Sequence, residues 1–453
     1  MNKECVMENR ILRFVEFKDI ESWSTYAILG SKFDYSNQFE LAKIRHFLKR
    51  NKTQVSIKDE ILYKRPTIKI NGQGVFLRDE KQGKDIGTKN QFRIREGQFL
   101  LSKIDARNGA FGVVPKELDN GIITGNFWTF DVDYEKINPY FLTLVTKTKK
   151  FQNLSQSASV GTTNRNYLQE EEFLNFQIPL PNLEEQEAIV LAYQSKIEEA
   201  QRLENEAQEL ENEIENYLFE ELGVSFQKYE NLQSGKLHFV DFKDMESWGV
   251  SNNFSDSPSN IFQSKKYPLI SIQNFFLINP TTNISVDEEI SFIPMASVSD
   301  EYGEIIKKEN RKLAKGYTRF QENDILWARI TPCMENGKSS IAKELKNGFG
   351  FGSTEFHILR KFSNGLNEEL LHLLLRTSHL RQNAKKYFTG SAGQQRVPKS
   401  YLENLKIPIP PLSKQNEIAT TIATMKQTQK HKTETATRLR AEALAEFEQV
   451  IFN

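Results

Sequence analysis

Four blocks of sequence recur in the same order along the 453-residue chain. This repeat is the feature that most constrains the fold. The offset between the copies changes little along the chain, as the blocks themselves show: LRFVEFKDIESW (12–23) and LHFVDFKDMESW (237–248), GQFLLSKI (97–104) and NDILWARI (323–330), KELDNG (116–121) and KELKNG (343–348), and IPLP (178–181) and IPIP (407–410). Chance does not give four ordered matches at nearly one spacing. The sequence therefore predicts an internal duplication.

A long helix follows the last block in each copy. Residues 183–222 contain no Pro or Gly, and their apolar residues recur at steps of three and four, which is typical of a helix that packs against another helix: Tyr193, Ile197, Ala200, Leu203, Ala207, Leu210, Ile214 and Tyr217. The second helix is predicted from Leu412 to Phe452, with this seam: Ile418, Ile422, Met425, Gln429, Lys432, Ala436, Leu439, Ala443 and Val450. Its polar members Gln429 and Lys432 indicate a contact that sets the register against the acidic first helix.

Each copy has the same plan before its helix. A β-rich region, with alternating segments such as 66–76 and 324–330, precedes a short helical region at 138–154 or 367–387 and a strand bounded by prolines. The predicted fold class is α+β, with two similar β-rich globular domains joined by two long antiparallel helices in a coiled coil with pseudo-twofold symmetry. The expected boundaries are 1–182 (first domain), 183–223 (first helix), 224–411 (second domain) and 412–453 (second helix).

Composition narrows the class of protein. Two distant cysteines, no long apolar run and no leader-like start predict a cytoplasmic protein without disulfides or membrane segments. The formal net charge is zero, yet residues 183–222 hold thirteen Glu against one Lys and one Arg, so the remainder is basic. Because the charges are segregated, the balanced total does not exclude nucleic-acid binding.

The sequence offers little catalytic chemistry. Lys338 stands in a weak match to a phosphate-binding loop, and Asn138-Pro139-Tyr140 lacks one proline of an amino-methyltransferase motif. His372 and His379 have no carboxylate at metal-ligand spacing, so we interpret them as packing residues. We therefore predict a binding subunit with no catalytic residues, no metal and no cofactor of its own. Its geometry suits either reading of two separated DNA sites or a scaffold for two proteins.

Several stretches resemble the repeated conserved regions of type I restriction–modification specificity subunits. These are IPLPNLEEQEAIV and IPIPPLSKQNEIA with their long helices, ASVGTTNR (158–165), SAGQQRVP (391–398), GSTEFHILR (352–360) and RNGAFGVVPKEL (107–118). The resemblance implies a non-catalytic DNA-recognition subunit with two target recognition domains, each reading half of a split sequence in double-stranded DNA. The helices would set the spacing and dock two methyltransferase subunits that use S-adenosylmethionine. Restriction subunits that use ATP and Mg²⁺ would join them.

Candidate DNA contacts follow from residue type and from the family-like blocks. In the first domain they are Arg78, Lys81, Lys84 and Lys89 in a stretch expected to be turn-rich, and Arg107, Asn108, Thr162, Thr163 and Arg165. In the second they are Lys307, Lys308, Arg311, Lys312 and Lys315, and the loop residues Gln394, Gln395 and Arg396. Charge reversal at Arg396 is expected to weaken DNA binding.

One departure between the copies is that Trp128 is aligned with Glu355. The sequence leaves two other functions open. One is an adaptor that does not bind DNA, and the other is a divergent fused methyltransferase or nuclease.

Overall fold

The computed structural model describes residues 6–7, 10–11, 38–162, 165–224, 261–285, 288–391 and 393–452, so the repeated blocks at 12–23 and 237–248 lie outside the described residues. The chain forms two compact units. Unit 1 comprises 1–203 and 434–453, and unit 2 comprises 204–433. Each unit thus contains part of both long helices. The predicted boundaries at 182/183 and 411/412 coincide with the helix starts at Leu183 and Leu412.

The described part of unit 1 contains strands β1 to β15: Val6–Met7, Arg10–Ile11, Leu41–Lys43, Leu48–Asn51, Gln54–Ser56, Leu62–Lys69, Gly74–Gln82, Asn90–Arg93, Phe99–Ser102, Phe111–Val113, Ile122–Ile123, Phe127–Val132, Ser159–Thr162, Arg165–Leu168 and Gln177–Pro179. The described part of unit 2 contains β16 to β25: Leu269–Ser271, Phe276–Ile278, Ile290–Ile293, Glu309–Arg311, Thr318–Gln321, Ile325–Ala328, Ser339–Ile341, Phe349–Gly352, Phe356–Lys361 and Lys406–Pro408. The α-helices α1 to α8 are Pro139–Lys147, Lys149–Ser157, Glu170–Asn175, Leu183–Glu221, Glu368–Arg376, Ser378–Lys385, Lys399–Glu403 and Leu412–Phe452. The fold class is α+β, as predicted.

Strand order shows the duplication directly. Unit 1 has the four-stranded order β10-β9-β12-β4, and unit 2 has the same arrangement in β22-β21-β24-β17. In unit 1 Trp128 pairs with Leu101, and in unit 2 His357 pairs with Trp327. Leu101 and Trp327 occupy the same position in the matched blocks GQFLLSKI and NDILWARI. The two units therefore share the strand order and the register of this four-stranded sheet.

The same register corrects one prediction. Trp128 occupies the position of His357, and Asn126 occupies the position of Glu355, so the alignment of Trp128 with Glu355 was wrong by two residues. The backbone bonds agree, since Lys103 N–H donates to Asn126 O (3.0 Å) as Arg329 N–H donates to Glu355 O (2.9 Å). The error arose because the offset between the copies increases along the chain.

The long helices pack antiparallel within each unit. In unit 2, Lys432 pairs with Glu206 and Lys414 pairs with Glu221 (2.7 Å). In unit 1, Lys196 pairs with Glu446, and Arg440 donates to Gln201 (3.2 Å). The pair between Lys432 and Glu206 confirms the contact expected for the polar part of the second seam.

The predicted seams are mostly correct. Ala200, Ala207 and Ala436 are buried, and the predicted apolar positions of α4 are all buried or half-buried. The prediction of Val450 as a seam residue was wrong, because Val450 is 39% exposed while the neighbouring Ile451 is fully buried. At this end α8 packs against the aromatic core of unit 1 as well as against α4, so the buried face changes.

The ends of the long helices belong to the cores of the units. In unit 1, Phe447 and Ile451 pack with Phe99, Phe130 and other buried aromatic residues. In unit 2, Leu218 and Phe219 join Ile418 and Trp327 in one cluster. Because large apolar side chains dominate both clusters, each helix end is fixed to its unit mainly by burial of apolar surface.

Candidate nucleic-acid interface

An ion-pair cluster lies at the end of strand β21 in unit 2. Arg396 donates from Nε and Nη2 to the two carboxylate oxygens of Glu355, both at 2.8 Å, and from Nη1 to the carbonyl of Gln394 (2.8 Å). Arg329 approaches the same carboxylate more weakly, at 3.4 Å. Hydrogen bonding from Arg396 lowers the pKa of Glu355. The carboxylate therefore stays ionised and holds two guanidinium groups together.

A polar groove of about 380 Å³ adjoins this cluster. It is lined by the loop 279–283, by Thr318, Arg319, Arg329 and Thr354, and by the apolar Phe356 and Ile358. Among the described residues, the lining contains two arginines and no carboxylate. Arginine, asparagine and threonine are residue types that contact phosphates and base edges in DNA complexes. The groove is thus suited chemically to an anionic or base-edge ligand.

The wall formed by loop 279–283 is held in place by hydrogen bonds. Asn279, which has a φ of 54°, donates from Nδ2 to His357 Nδ1 (3.0 Å) and accepts from the backbone N–H of Ile358 (2.9 Å). Thr282 donates to the carbonyl of Arg319 (3.2 Å) and accepts from Arg360 (2.8 Å). Since these partners belong to two strands of the unit, the loop is fixed to the sheets before any ligand arrives.

His357 joins this wall to the Arg396 loop. Its Nε2 donates to the carbonyl of Val397 (2.9 Å), while Nδ1 accepts from Asn279. Burial lowers the pKa of His357 to about 4. The imidazole is therefore neutral near pH 7, and the hydrogen bond from Asn279 requires that neutral state.

Unit 1 carries different side chains at the equivalent positions. Lys103 replaces Arg329, and Asn126 replaces Glu355. Tyr167 replaces Arg396, because Leu168 N–H donates to Lys103 O (2.9 Å) as Val397 N–H donates to Arg329 O (2.8 Å). The Lys103 amine lies 5.3 Å from the Tyr167 ring centre. Arg93, on β8, replaces Arg319. The two units thus have the same frame in this region, with an ion-pair cluster in one and a cation–π contact in the other.

The sequence-predicted contacts of unit 1 are distributed over several elements. Arg78 and Lys81 lie in strand β7, so the expectation of a turn was wrong for them. Lys84 is exposed in a 3-10 turn, and Lys89 donates to Asp59 (2.6 Å) and to the carbonyl of Gly83 (2.8 Å). The Lys89 amine is therefore already hydrogen-bonded within the protein.

The remaining unit 1 predictions lie in two turns. Arg107 and Asn108 occupy a 3-10 turn, and the carbonyl of Asn108 accepts from the backbone N–H of Asn71 (2.7 Å) at the tip of the β6–β7 hairpin. Thr162 and Arg165 face each other in the β13–β14 register, and Thr163 lies outside the described residues. Their contact with DNA stays a prediction.

The basic run of unit 2 is largely neutralised by its neighbours. Arg311 donates to Glu309 (3.0 and 2.5 Å), and Lys307 lies 3.4 Å from the same carboxylate. Lys308 donates to the carbonyls of Lys343 and Glu344 (3.0 and 3.2 Å) and to the Glu344 carboxylate. Lys312 and Lys315 are exposed. The run is therefore less cationic than its sequence indicates.

The polar loop before Val397 also has internal contacts. Gln394 is exposed, and the carbonyl of Gln395 accepts from the backbone N–H of Thr331 (3.0 Å). Arg396 is bound to Glu355. Sequence reasoning missed Arg93, Lys103, Arg319 and Arg329. The alignment of GQFLLSKI with NDILWARI could have found Arg93 with Arg319, and Lys103 with Arg329, as repeated cationic pairs.

Comparison with known proteins places these features in a family. The sequence model described as "Type I restriction modification DNA specificity domain" matches residues 33–216 and 265–440, one match in each copy of the repeat. The chain belongs to this family. Together the two matches cover most of the chain, including the strands that frame the groove and much of both long helices.

Two curated relatives from Escherichia coli are similar over part of this family member. Over 145 residues the chain is 45% identical to the specificity subunit of type I restriction enzyme EcoAI. This match covers 31% of the chain and 25% of the relative. Over 158 residues the chain is 41% identical to the EcoEI specificity subunit. This match covers 34% of the chain and 27% of the relative. The match thus spans about a quarter of the length of each relative.

A solved structure described as "Structural basis underlying complex assembly and conformational transition of the type I R-M system" contains a chain with a similar fold. The TM-score is 0.56 at 16% identity, and the match covers 92% of this chain and 98% of the other. None of the helices in the described part of the chain contains an apolar stretch of the length that a membrane span needs. The same residues contain no group of three or more His, Cys, Asp or Glu that could hold a metal ion.

Proposed function

We propose that this chain is the DNA-recognition subunit of a type I restriction–modification complex and that each unit reads one half of a split target in double-stranded DNA. The family match to both copies carries the proposal. The equivalent positions of the two units support it, because Arg329, Glu355 and Arg396 in one correspond to Lys103, Asn126 and Tyr167 in the other. A shared frame with different polar side chains is what two different half-sites require.

The proposed role is non-catalytic. Methylation would belong to two methyltransferase subunits that bind S-adenosylmethionine, and cleavage would belong to restriction subunits that use ATP and Mg²⁺. The exposed acidic face of α4, which includes Glu198, Glu209 and Glu213, supports docking of protein rather than DNA along this helix. Phosphates would be repelled by such a face. In this proposal the long helices set the distance between the half-sites.

Selection from a random duplex pool tests this function. The full chain, assembled with co-expressed methyltransferase subunits, should enrich a motif of two short constant segments separated by a spacer of fixed length. Enrichment of no sequence at a fixed salt concentration would contradict DNA reading and favour an adaptor. Methyl transfer or DNA cleavage by the isolated chain, supplied with S-adenosylmethionine or Mg²⁺, would contradict the non-catalytic role.

A further inference from the structure

Arg319 has an unusual position among the arginines of unit 2. In the described residues, Arg311, Arg329, Arg360 and Arg396 pair with carboxylates, and Arg376 and Arg381 donate to backbone carbonyls. Arg319 alone among them makes no side-chain hydrogen bond or ion pair with any residue that the structure describes. Its side chain is half-buried and lines the polar groove. A half-buried guanidinium with no partner among the described residues has its donors available to a ligand.

An arginine stands at the same register in unit 1. Arg93 on β8 pairs with Ile122, and Arg319 on β20 pairs with Phe351, so each lies opposite the strand that follows the matched block KELDNG or KELKNG. Arg93 and Arg319 stand at the same distance before the matched blocks that begin at Gly97 and Asn323. The Nη1 of Arg93 donates to the neutral amide of Asn120 (3.2 Å), and Arg93 makes no ion pair with a described residue. Both units therefore present an uncompensated guanidinium from the same strand position.

The strand fixes where this guanidinium can reach. Arg319 is held in the ladder between β20 and β23, and its carbonyl is bonded by Thr282 of the groove wall. In unit 1 the backbone N–H of Arg93 donates to the carbonyl of Thr53 (2.8 Å). A planar fork with two parallel donors, presented from a fixed backbone, matches O6 and N7 of guanine, whereas phosphate contacts are made as readily by mobile lysines.

We infer that Arg319 and Arg93 each read a base edge, with guanine as the expected base, in the half of the target bound by their own unit. This assignment rests on the proposed function. The groove beside Arg319 then receives the edge of one base pair, and Arg329, held by Glu355, adds a second cation at its rim. The different neighbours of Arg93 give the other half-site its own sequence.

The test compares four variants of the full chain in the assembly with methyltransferase subunits: Arg319→Ala, Arg319→Lys, Arg93→Ala and the exposed surface control Lys386→Ala. Each variant is titrated against the selected duplex and against duplexes in which single base pairs of either half are changed. Arg319→Ala should lower affinity for the selected duplex on the order of ten- to a hundredfold and remove discrimination at one guanine of one half-site. Arg93→Ala should do the same in the other half, and Lys386→Ala should change neither.

The lysine variant separates base reading from phosphate binding. Because Arg319→Lys keeps the charge but loses the fork, it should leave discrimination at that base impaired. Restored affinity and discrimination with lysine, or a loss in Arg319→Ala that is uniform across all duplexes, would overturn the assignment. So would unchanged binding by both alanine variants while the wild-type assembly selects a split motif, an outcome that leaves the proposed function standing. A wild-type assembly that selects no motif refutes the proposed function itself.

Discussion

The side-chain oxygen of Gln186 accepts a hydrogen bond from the backbone N–H of Asn138 at 2.8 Å. Gln415 accepts from Asn367 in the same way, at 2.7 Å. Both glutamines are fully buried, and each donates from Nε2 to the carbonyl of the proline five residues before it (2.8 Å). Asn138 and Asn367 also cap the first short helix of their units. The start of each long helix is thus locked to the helix cap of its own globular region.

Substitution of Gln186 should destabilise this joint. Gln186→Leu leaves the N–H of Asn138 and the carbonyls of Lys136 and Pro181 without their side-chain partner, which should cost about 1–3 kcal/mol. Hydrogen exchange at Asn138 and in helix α1 measures the effect, with exposed Glu187→Leu as the control. Equal protection in the two variants would show that the glutamine does not hold the joint.

The paired positions Asp324 and Arg360 show how the duplicated frame has diverged. Arg360 donates to both oxygens of Asp324 (2.8 and 2.6 Å), and the carboxylate is only 1% exposed. At the equivalent positions of unit 1, Gln98 donates to Asp131 (2.7 Å). The carboxylate is therefore at the first of the two positions in unit 2 and at the second in unit 1, while a bond between the two positions is preserved.

Removing one partner of this ion pair should lower the free energy of unfolding more than replacing both partners with leucine. Arg360→Leu leaves the Asp324 carboxylate buried without its cation and should destabilise unit 2 by about 3–5 kcal/mol. The double variant Asp324→Leu/Arg360→Leu should be much closer to the wild type, because no buried charge remains. Urea unfolding of the wild type, Asp324→Leu, Arg360→Leu and the double variant completes the double-mutant cycle. A double variant at least as unstable as Arg360→Leu would refute this account.

The local sequence was sufficient to predict the long helices and the repeat. Helix α8 begins and ends where the seam predicted it, at Leu412 and Phe452, because periodicity and the preceding prolines act over a few residues. The matched blocks likewise predicted a common strand plan. The pairing of Glu355 with Arg396 was not predictable in this way, because its partners come together only when the sheet forms.

The candidate site was predicted less well for the same reason. Lys308 looks cationic in the sequence, but the distant Lys343 carbonyl and Glu344 carboxylate occupy its amine. Arg319 looked ordinary, and only the arrangement of its neighbours shows that no described side chain or carbonyl binds its guanidinium. The sequence shows which charged residues are present, whereas tertiary contacts decide which of them remain available to bind a ligand.

The stability of unit 2 should fall in acid because of His357. Its pKa is about 4 in the folded protein against 6.5 ordinarily, so the unfolded chain takes up the proton first as the pH falls. The stability present above pH 6.5 is therefore lost progressively between 6.5 and about 4, by roughly 3 kcal/mol for this group. Chemical denaturation at a series of pH values should show a shallower dependence in His357→Gln. An identical pH dependence would contradict this cause.

Arg396 is expected to act through Glu355 rather than on a base. Arg396→Ala should increase protease cleavage in the 389–396 segment, because its bonds to Glu355 and Gln394 are lost. In the assembly with methyltransferase subunits, DNA affinity should fall by less than about tenfold, with unchanged base preference, since the fork is already occupied.

A double-mutant cycle with Glu355 distinguishes this role from direct reading. If the two residues act as one brace, adding Glu355→Ala to Arg396→Ala should cause little further loss of affinity. The charge reversal Arg396→Glu should be worse than alanine, because it places a second carboxylate beside Glu355. If Arg396→Ala instead removes discrimination at one base pair as strongly as Arg319→Ala, then Arg396 leaves Glu355 on binding and reads DNA itself.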